Sequence, residues 1–205
     1  WGKGQPVSMF GLFDVPALPV GSDKPTVGMF HELHEITATL MLVLWQRVLP
    51  DGWWPPVVSG TMTTTLGGCL AANIHGKNNF QVGPIGEHVV EFTAMLPTGA
   101  LITCTPKKNA DLFYAMISGL GMLGVFTSVT LKMKRIYSGL ISVDAWHVPT
   151  LNRQLSSLLN DAPKYDYIVG WLDTFARGKN LGRGQIHAAT NLKEGEDPNA
   201  QETLK

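Results

Sequence analysis

Small and hydroxyl-bearing residues are concentrated between Pro56 and Asn79, and this is the stretch of the chain whose residue types are best suited to bind a ligand. This stretch contains a threonine run and an Ile-His-Gly-Lys sequence, and its glycines are Gly60, Gly67, Gly68 and Gly76. Glycines let a backbone approach a ligand closely, and free backbone N–H groups can neutralise a phosphate without a lysine. The stretch therefore predicts a surface that binds a phosphate-bearing cofactor.

Two histidines, His31 and His34, invite a metal-site interpretation because each is followed by a glutamate. Their order is His-Glu-Leu-His-Glu, whereas zinc hydrolases carry His-Glu-x-x-His, and the sequence offers no obvious third ligand. We therefore expect these residues to lie on a helix face and to bind no metal.

Three glycines, Gly119, Gly121 and Gly124, have the Gly-x-Gly-x-x-Gly spacing of dinucleotide-binding loops. The predicted order around them is helix then strand, the reverse of the strand–loop–helix order that the dinucleotide fingerprint requires. This context favours a tight, closely packed turn.

Composition limits the possible functions. The 205 residues suffice for one core or two small domains. The formal net charge of zero gives no electrostatic reason to expect nucleic acid or an anionic membrane as partner. Charged residues make up only 16% of the chain, against roughly 25% in average domains, which predicts that protein partners or further parts of a larger protein cover the surface. The most apolar run, 36–45, is too short for a transmembrane span.

The two cysteines, Cys69 and Cys104, fall at an apolar helix start and an apolar strand end. A lone pair does not specify a disulfide framework, so we expect buried free thiols. The chain begins at Trp1 without the pattern of a signal peptide, which suggests a start in mid-protein. An intracellular or organellar location is favoured over secretion, and the sequence does not identify the compartment.

Local patterns predict a series of elements after an irregular, Gly- and Pro-rich segment at 1–30. We expect helices at 31–49, 67–73, 109–119 and 151–159, and strands at 53–58, 88–96, 100–104, 125–136, 140–146 and 167–172. Residues 97–99 predict a hairpin turn between the strands at 88–96 and 100–104. The tail after Gly195 is polar and closes no element.

Several of these motifs occur together in a fixed order. They are Gly60-Thr61, Thr65-Leu66-Gly67-Gly68, Ile74-His75-Gly76-Lys77-Asn78, Pro97-Thr98-Gly99, Asp111-Leu112-Phe113-Tyr114 and the 119–124 glycine turn. In this order they resemble the FAD-binding domain of the vanillyl-alcohol oxidase and p-cresol methylhydroxylase (PCMH) superfamily. The resemblance is greatest to FAD-linked sugar oxidoreductases of the decaprenylphosphoryl-β-D-ribose oxidase type, and it continues more weakly through 165–173 and 181–184.

The resemblance implies an α+β fold with three parts. An irregular segment at 1–30 precedes part of a PCMH-type FAD-binding domain, its second subdomain, at 31–137. The beginning of an α/β substrate (cap) domain follows at 138–205. The implied function is oxidation of a sugar or sugar-like alcohol by hydride transfer to FAD, which this group usually holds non-covalently.

The resemblance also implies roles for individual residues. The FAD pyrophosphate and ribityl chain would lie along Gly60, Thr61, Thr65, Leu66, Gly67 and Gly68. His75 would lie near the flavin, although a histidine before glycine is also an ordinary turn residue. Phe126 would contact the cofactor partly through its backbone. Lys77 would either face the substrate or be solvated.

Two departures from the family pattern leave the catalytic residues unassigned. Residues 1–30 lack the glycine-rich loop of the family's first FAD subdomain, and the family's catalytic cap residues would follow Lys205. The alternative hypothesis is therefore a catalytically inert, flavoprotein-derived accessory subunit of a multi-subunit assembly such as a respiratory complex. A plain small-molecule binding module is a third option.

Overall fold

The computed structural model describes the backbone of residues 32–36 and the whole of residues 41–205. The strands are β1 (Glu32–Ile36), β2 (Trp53–Trp54), β3 (Val89–Met95), β4 (Leu101–Cys104), β5 (Val125–Lys132), β6 (Lys134–Arg135), β7 (Ile141–Val148), β8 (Tyr167–Leu172) and β9 (Gly184–Asn191). The helices are α1 (Met41–Val48), α2 (Leu66–Ala71), α3 (Asn79–Val82), α4 (Ala110–Met116), α5 (Leu151–Asp161) and α6 (Ala200–Thr203). The segment predicted to be irregular, 1–30, lies outside the described residues.

The first sheet has the strand order β1-β5-β3-β4, and every pair in it is antiparallel. Alternate residues of β3 point into the core because successive side chains of a strand face opposite sides. Phe92 is the centre of this core: its ring stacks on Phe113 at 5.4 Å and meets the edge of Phe126 at 4.9 Å. The helix α1 contributes Met41 and Leu44 to this core, and α2 contributes Leu66 and Leu70. The helix α4 contributes Phe113 and Met116.

The second sheet has the order β7-β9-β8, also antiparallel. Helix α5 packs on one face of it, over a smaller cluster that includes Val148, Ile168, Ile186 and Ala188. Val169 and His187 pair across the sheet and belong to the opposite face. That opposite face is turned toward α1 and β2. The boundary predicted between two domains near residue 138 stays a prediction.

The helix predicted at 31–49 is wrong over its first part. Residues 32–36 form β1, which pairs with β5 from Glu32 opposite Lys132 to Ile36 opposite Ser128. The exposed edge of β5 offers backbone groups that need partners, and pairing with them outweighs a weak helical pattern. The helix face proposed for the two histidines is therefore wrong at His34, and His31 lies outside the described residues.

Most other elements agree with the sequence pattern. The β3–β4 hairpin turns at Gly99, whose φ of +82° favours glycine. The strand predicted at 53–58 is limited to β2, and α2 ends two residues earlier than expected. Cys69 and Cys104 are free and buried, as predicted. Within the described chain, no helix has the length and apolarity needed to cross a membrane.

Candidate cofactor site

The loop between Ser59 and Thr65 is held to the helices on either side of it. The carbonyl of Thr64 accepts the Met41 N–H at 2.9 Å, which fixes the loop to the start of α1. The Thr64 hydroxyl lies 3.0 Å from the Ser59 hydroxyl and accepts a weak bond from the Cys69 thiol at 3.3 Å. Burial raises the pKa of that thiol despite this bond, so Cys69 stays protonated and structural. The loop is thus anchored from within by its threonines.

Helix α2 begins at a threonine cap. The Thr65 hydroxyl accepts the N–H of Gly68 at 3.1 Å, which occupies one of the donors that a helix start leaves free. The N–H of Gly68 is therefore already paired with a side chain of the protein. The Leu66 side chain is fully buried, so only its backbone could contact a ligand.

The outer part of the loop is open. A Cβ built on Gly60 would meet no atom within 4 Å, and Thr61 beside it is exposed. The Thr61 and Thr63 hydroxyls lie 2.9 Å apart. Open backbone and unburied hydroxyls suit a polar, phosphate-bearing group that approaches from this side. The predicted roles of Gly60, Thr61, Thr65 and Gly67 stay predictions.

The Ile-His-Gly-Lys turn is fixed by a buried asparagine. The Asn78 side chain is 3% exposed, and its Nδ2 donates to the carbonyl of Pro56 at 2.8 Å. This bond joins the turn to the segment that leads into the glycine loop. A Cβ on Gly76 would come within 2.7 Å of Asn78 Oδ1 and 3.0 Å of the Val58 carbonyl, so only glycine fits there without rearrangement.

The side chains of His75 and Lys77 are both exposed. The turn that carries them meets the second sheet, because the Lys77 carbonyl accepts the N–H of Ile168 at 3.0 Å. One helical turn further on, Gln81 Nε2 donates to the Tyr165 carbonyl at 2.9 Å. The start of β8 is thus attached to the turn by two bonds to main-chain atoms.

A cavity of about 690 Å³ lies beside this turn, between the second sheet and the segment formed by α1 and β2. Its walls include Trp54, Val58, Lys77, Val143, Val169 and His187. Ser59 and Trp45 also line it, and the buried indole Nε1 of Trp45 has no hydrogen-bond partner among the described residues. The structure therefore brings Lys77 and the residue that precedes Gly60 to one cavity. Its walls are mostly apolar with a few polar groups, as in small-molecule sites.

A carboxylate, Asp166, lies next to Tyr167, which lines this cavity. Asp166 Oδ1 lies 3.2 Å from Lys134 Nζ, and its Oδ2 accepts the Asn191 N–H at 2.8 Å. Burial raises the pKa of Asp166, but the bonds from Asn191 and the charge of Lys134 outweigh it and hold the pKa below its usual value. Burial raises the pKa of the adjacent Tyr167, whose ring lies 5.3 Å from Lys134 Nζ. Asp166 therefore joins β8 to β6 and β9.

Phe126 lies in the first core, and the 119–124 glycine turn is bonded to the end of α2. The Phe126 ring is in the core against Phe92, so any cofactor contact would be through its backbone, and that role stays a prediction. The N–H of Leu120 donates to the Ala71 carbonyl at 2.9 Å. A Cβ on Gly119 would lie 2.5 Å from the Ala115 carbonyl, which explains a glycine here by close packing.

The sequence pattern missed three residues of this region. Asn78 was part of the motif, but its role in fixing the turn depends on a partner 22 residues away. Asp166 and His187 carry no local motif and become visible only when β8 and β9 pair. Over the residues that the structure covers, no group of three or more His, Cys, Asp or Glu side chains could hold a metal.

Comparisons with known proteins identify the class of this site. Residues 39–105 match the FAD binding domain family. This part of the chain is therefore a PCMH-type FAD-binding domain of α+β fold, and FAD is the cofactor of this domain. The open backbone at Gly60 and the hydroxyls beside it fit such a cofactor.

Two relatives are similar to a larger part of the chain. The chain is 28% identical over 180 residues to decaprenylphosphoryl-beta-D-ribose oxidase of Mycolicibacterium smegmatis, across 83% of this chain and 39% of that protein. It is 31% identical over 152 residues to cytokinin dehydrogenase 10 of Oryza sativa subsp. japonica, across 70% of this chain and 27% of the relative. The chain therefore spans well under half of the length of either relative.

Proposed function

We propose that this chain is part of an FAD-dependent oxidoreductase that oxidises a sugar or sugar-like alcohol. The observation that carries the proposal is the attachment of the 75–78 turn to both the glycine loop and β8, beside one cavity. This arrangement supports the proposal because the proposed cofactor loop and a substrate-sized space both adjoin this turn. One relative is named a ribose oxidase, which supports a sugar-like substrate.

FAD, when bound, accepts a hydride from the alcohol carbon. The backbone of Gly60, Gly67 and Gly68, with the hydroxyls of Thr61 and Thr65, is proposed to bind its pyrophosphate and ribityl chain without a covalent link. Leu66 and Phe126 would contribute backbone contacts only, because both side chains are buried in the core. The protein's share in this step is binding and orientation.

The cavity is the proposed substrate space. Its volume lies within the range of about 300–1,000 Å³ that is typical of small-molecule sites. Val143 and Val169 form an apolar wall on the side of the second sheet. Lys77 and His187 supply donors to substrate oxygens from opposite walls, and His75 is proposed to lie beside the flavin.

The direct test is the visible spectrum of the full-length protein. We expect a stoichiometric flavin band that bleaches without oxygen when an oxidisable sugar alcohol or aldose is added. A colourless protein purified in a stable complex with other subunits would contradict the proposal in favour of the accessory-subunit alternative. The comparisons do not favour that alternative, since the relatives are named oxidase and dehydrogenase.

A substitution in the open part of the loop locates the cofactor. Gly60→Val adds bulk where the protein has no neighbour within 4 Å, so the fold should persist while flavin is lost. Ala100→Val adds similar bulk to an exposed hairpin position and is the control. Flavin content after gel filtration measures the difference, and equal retention in both variants would refute this placement.

A further inference from the structure

The loop between β8 and β9, residues 173–183, presents an aromatic side chain to solvent. Phe175 is 91% exposed. The backbone beneath it is well held, because Asp173 Oδ1 accepts the N–H groups of Phe175 at 2.9 Å and Ala176 at 3.1 Å. Arg183 closes the loop with an ion pair to Asp173 Oδ2 at 2.8 Å. The phenyl ring therefore projects from an ordered turn.

Further apolar side chains lie at the same end of the second sheet. Leu181 is 54% exposed, and its carbonyl accepts the N–H of Leu151 at 2.9 Å. Leu155 follows Leu151 by one helical turn of α5 and is half exposed. Exposed apolar side chains that cluster on an ordered surface mark interaction sites.

The charges around these side chains are positive. The loop carries Arg177, Lys179 and Arg183, and its one acid, Asp173, is already paired with Arg183. Arg153 adds a further exposed cation on the first turn of α5.

The acidic side chains of this region lie at the other end. Asp161 closes α5, and Glu194, Glu196 and Asp197 follow the far end of β9. The far end also holds Lys193 and Lys164, the latter paired with Asp161 at 2.7 Å, so its charge is mixed. The end that carries the 173–183 loop is therefore the more positive of the two. A positive end with projecting apolar groups complements an anionic surface that also has an apolar interior.

We propose that the 173–183 loop docks on an anionic lipid surface, with Phe175 and Leu181 in the interfacial region and Arg177 and Lys179 at the headgroups. Aromatic and aliphatic tips flanked by cations bind such surfaces through burial and charge together. The proposal is independent of the flavin chemistry. Strands β8 and β9 lead from the loop to Val169 and His187 in the cavity wall, four residues away, or roughly 13 Å at the usual rise of a strand.

Flotation of the full-length protein with vesicles tests the proposal. We expect binding to vesicles of equal parts phosphatidylcholine and phosphatidylglycerol, weak binding to phosphatidylcholine alone, and release by high salt. Phe175→Ser should lower the partition coefficient about tenfold, from the loss of one buried aromatic side chain. The double variant Arg177→Glu/Lys179→Glu should lower it at least as much.

Matched variants elsewhere provide the controls. Leu101→Ser changes another exposed apolar side chain, and Lys107→Glu/Lys108→Glu reverses two exposed cations outside this loop. Both should bind vesicles like the wild type, and circular dichroism should show that all variants are folded. The proposal is overturned if the wild type does not float with anionic vesicles, or if the controls lose as much binding as the loop variants. It is also overturned if Phe175→Ser abolishes only self-association measured by sedimentation.

Discussion

The two sheets are buried to different extents. The first sheet packs against α1, α2 and α4 and surrounds Phe92 with two further rings. The second sheet is covered by α5 on one face and turns its other face to the cavity. The side that carries the proposed cofactor loop is therefore the more heavily packed of the two, and the proposed substrate side has one uncovered face. This difference is what a fixed cofactor and an exchangeable substrate require.

The largest expected effect is the loss of stability when a core side chain is removed, and it should differ between the two cores. Phe92→Ala should cost about 4 kcal/mol of unfolding free energy, because it removes a fully buried ring from between two others. Ile186→Ala, equally buried in the second sheet, should cost about 2 kcal/mol, because the sheet can relax toward its uncovered face. Denaturant unfolding of both variants measures the difference. If Ile186→Ala lost more unfolding free energy than Phe92→Ala, the first sheet would not be the more heavily packed of the two.

The second-largest effect is expected for Asn78, which fixes the 75–78 turn to the segment before the glycine loop. Asn78→Ala leaves the buried Pro56 carbonyl without its donor and should cost about 1–3 kcal/mol. It should also release flavin, because the turn loses its attachment to the glycine loop. Asn73→Ala is the control, since Asn73 Oδ1 binds the Gly86 N–H at 2.9 Å, away from that loop. A stability loss in both with flavin lost only in Asn78→Ala is the expected pattern, and flavin loss in both would contradict it.

The helix caps offer a matched pair. Thr65 caps α2 through Gly68 at 3.1 Å, and Thr150 caps α5 through Arg153 at 3.4 Å. Thr65→Ala should cost about 1 kcal/mol and weaken flavin binding, whereas Thr150→Ala should cost less, because its bond is longer, and leave flavin unchanged. Thermal unfolding and flavin titration distinguish the two. Equal flavin affinity in both variants would separate α2 from the cofactor.

The smallest effect concerns pH. The pKa of Asp166 is lowered in the folded protein, so its contribution is complete above its unfolded pKa and is lost as pH falls through the folded pKa. Asp166→Asn should lower stability at neutral pH by about 1 kcal/mol or less, because the pair with Lys134 is partly exposed. At acid pH, below the folded pKa, the two proteins should converge. Urea unfolding across that range checks this, and a constant difference would exclude the carboxylate as the cause.

Elements built from local patterns were predictable from the sequence. The β3–β4 hairpin follows from alternation about Gly99, and α5 follows from its helical spacing. Strand β8 was predicted with the bounds that the structure shows. These elements depend on short-range preferences, which the sequence displays directly.

Elements that depend on distant partners were not predictable in the same way. The strand β1 exists because β5 offers it an edge, and β9 was missed because its alanines, glycine and histidine are weak strand formers. The candidate site also combines features of both kinds, local motifs and contacts between distant residues. The glycine–threonine loop and the His75–Lys77 turn are motifs, while the bond from Ile168 to Lys77 and the cavity wall at His187 join residues far apart in the chain.

The hydrogen bond between the Ile168 amide and the Lys77 carbonyl is made by main-chain atoms alone. It therefore demands only a residue other than proline at position 168, and a second sheet of different sequence could be grafted onto the same 75–78 turn. What such a graft must keep is the register of β8. One inserted residue ahead of Ile168 would exchange the two faces of the strand and turn the wall of the cavity toward α5.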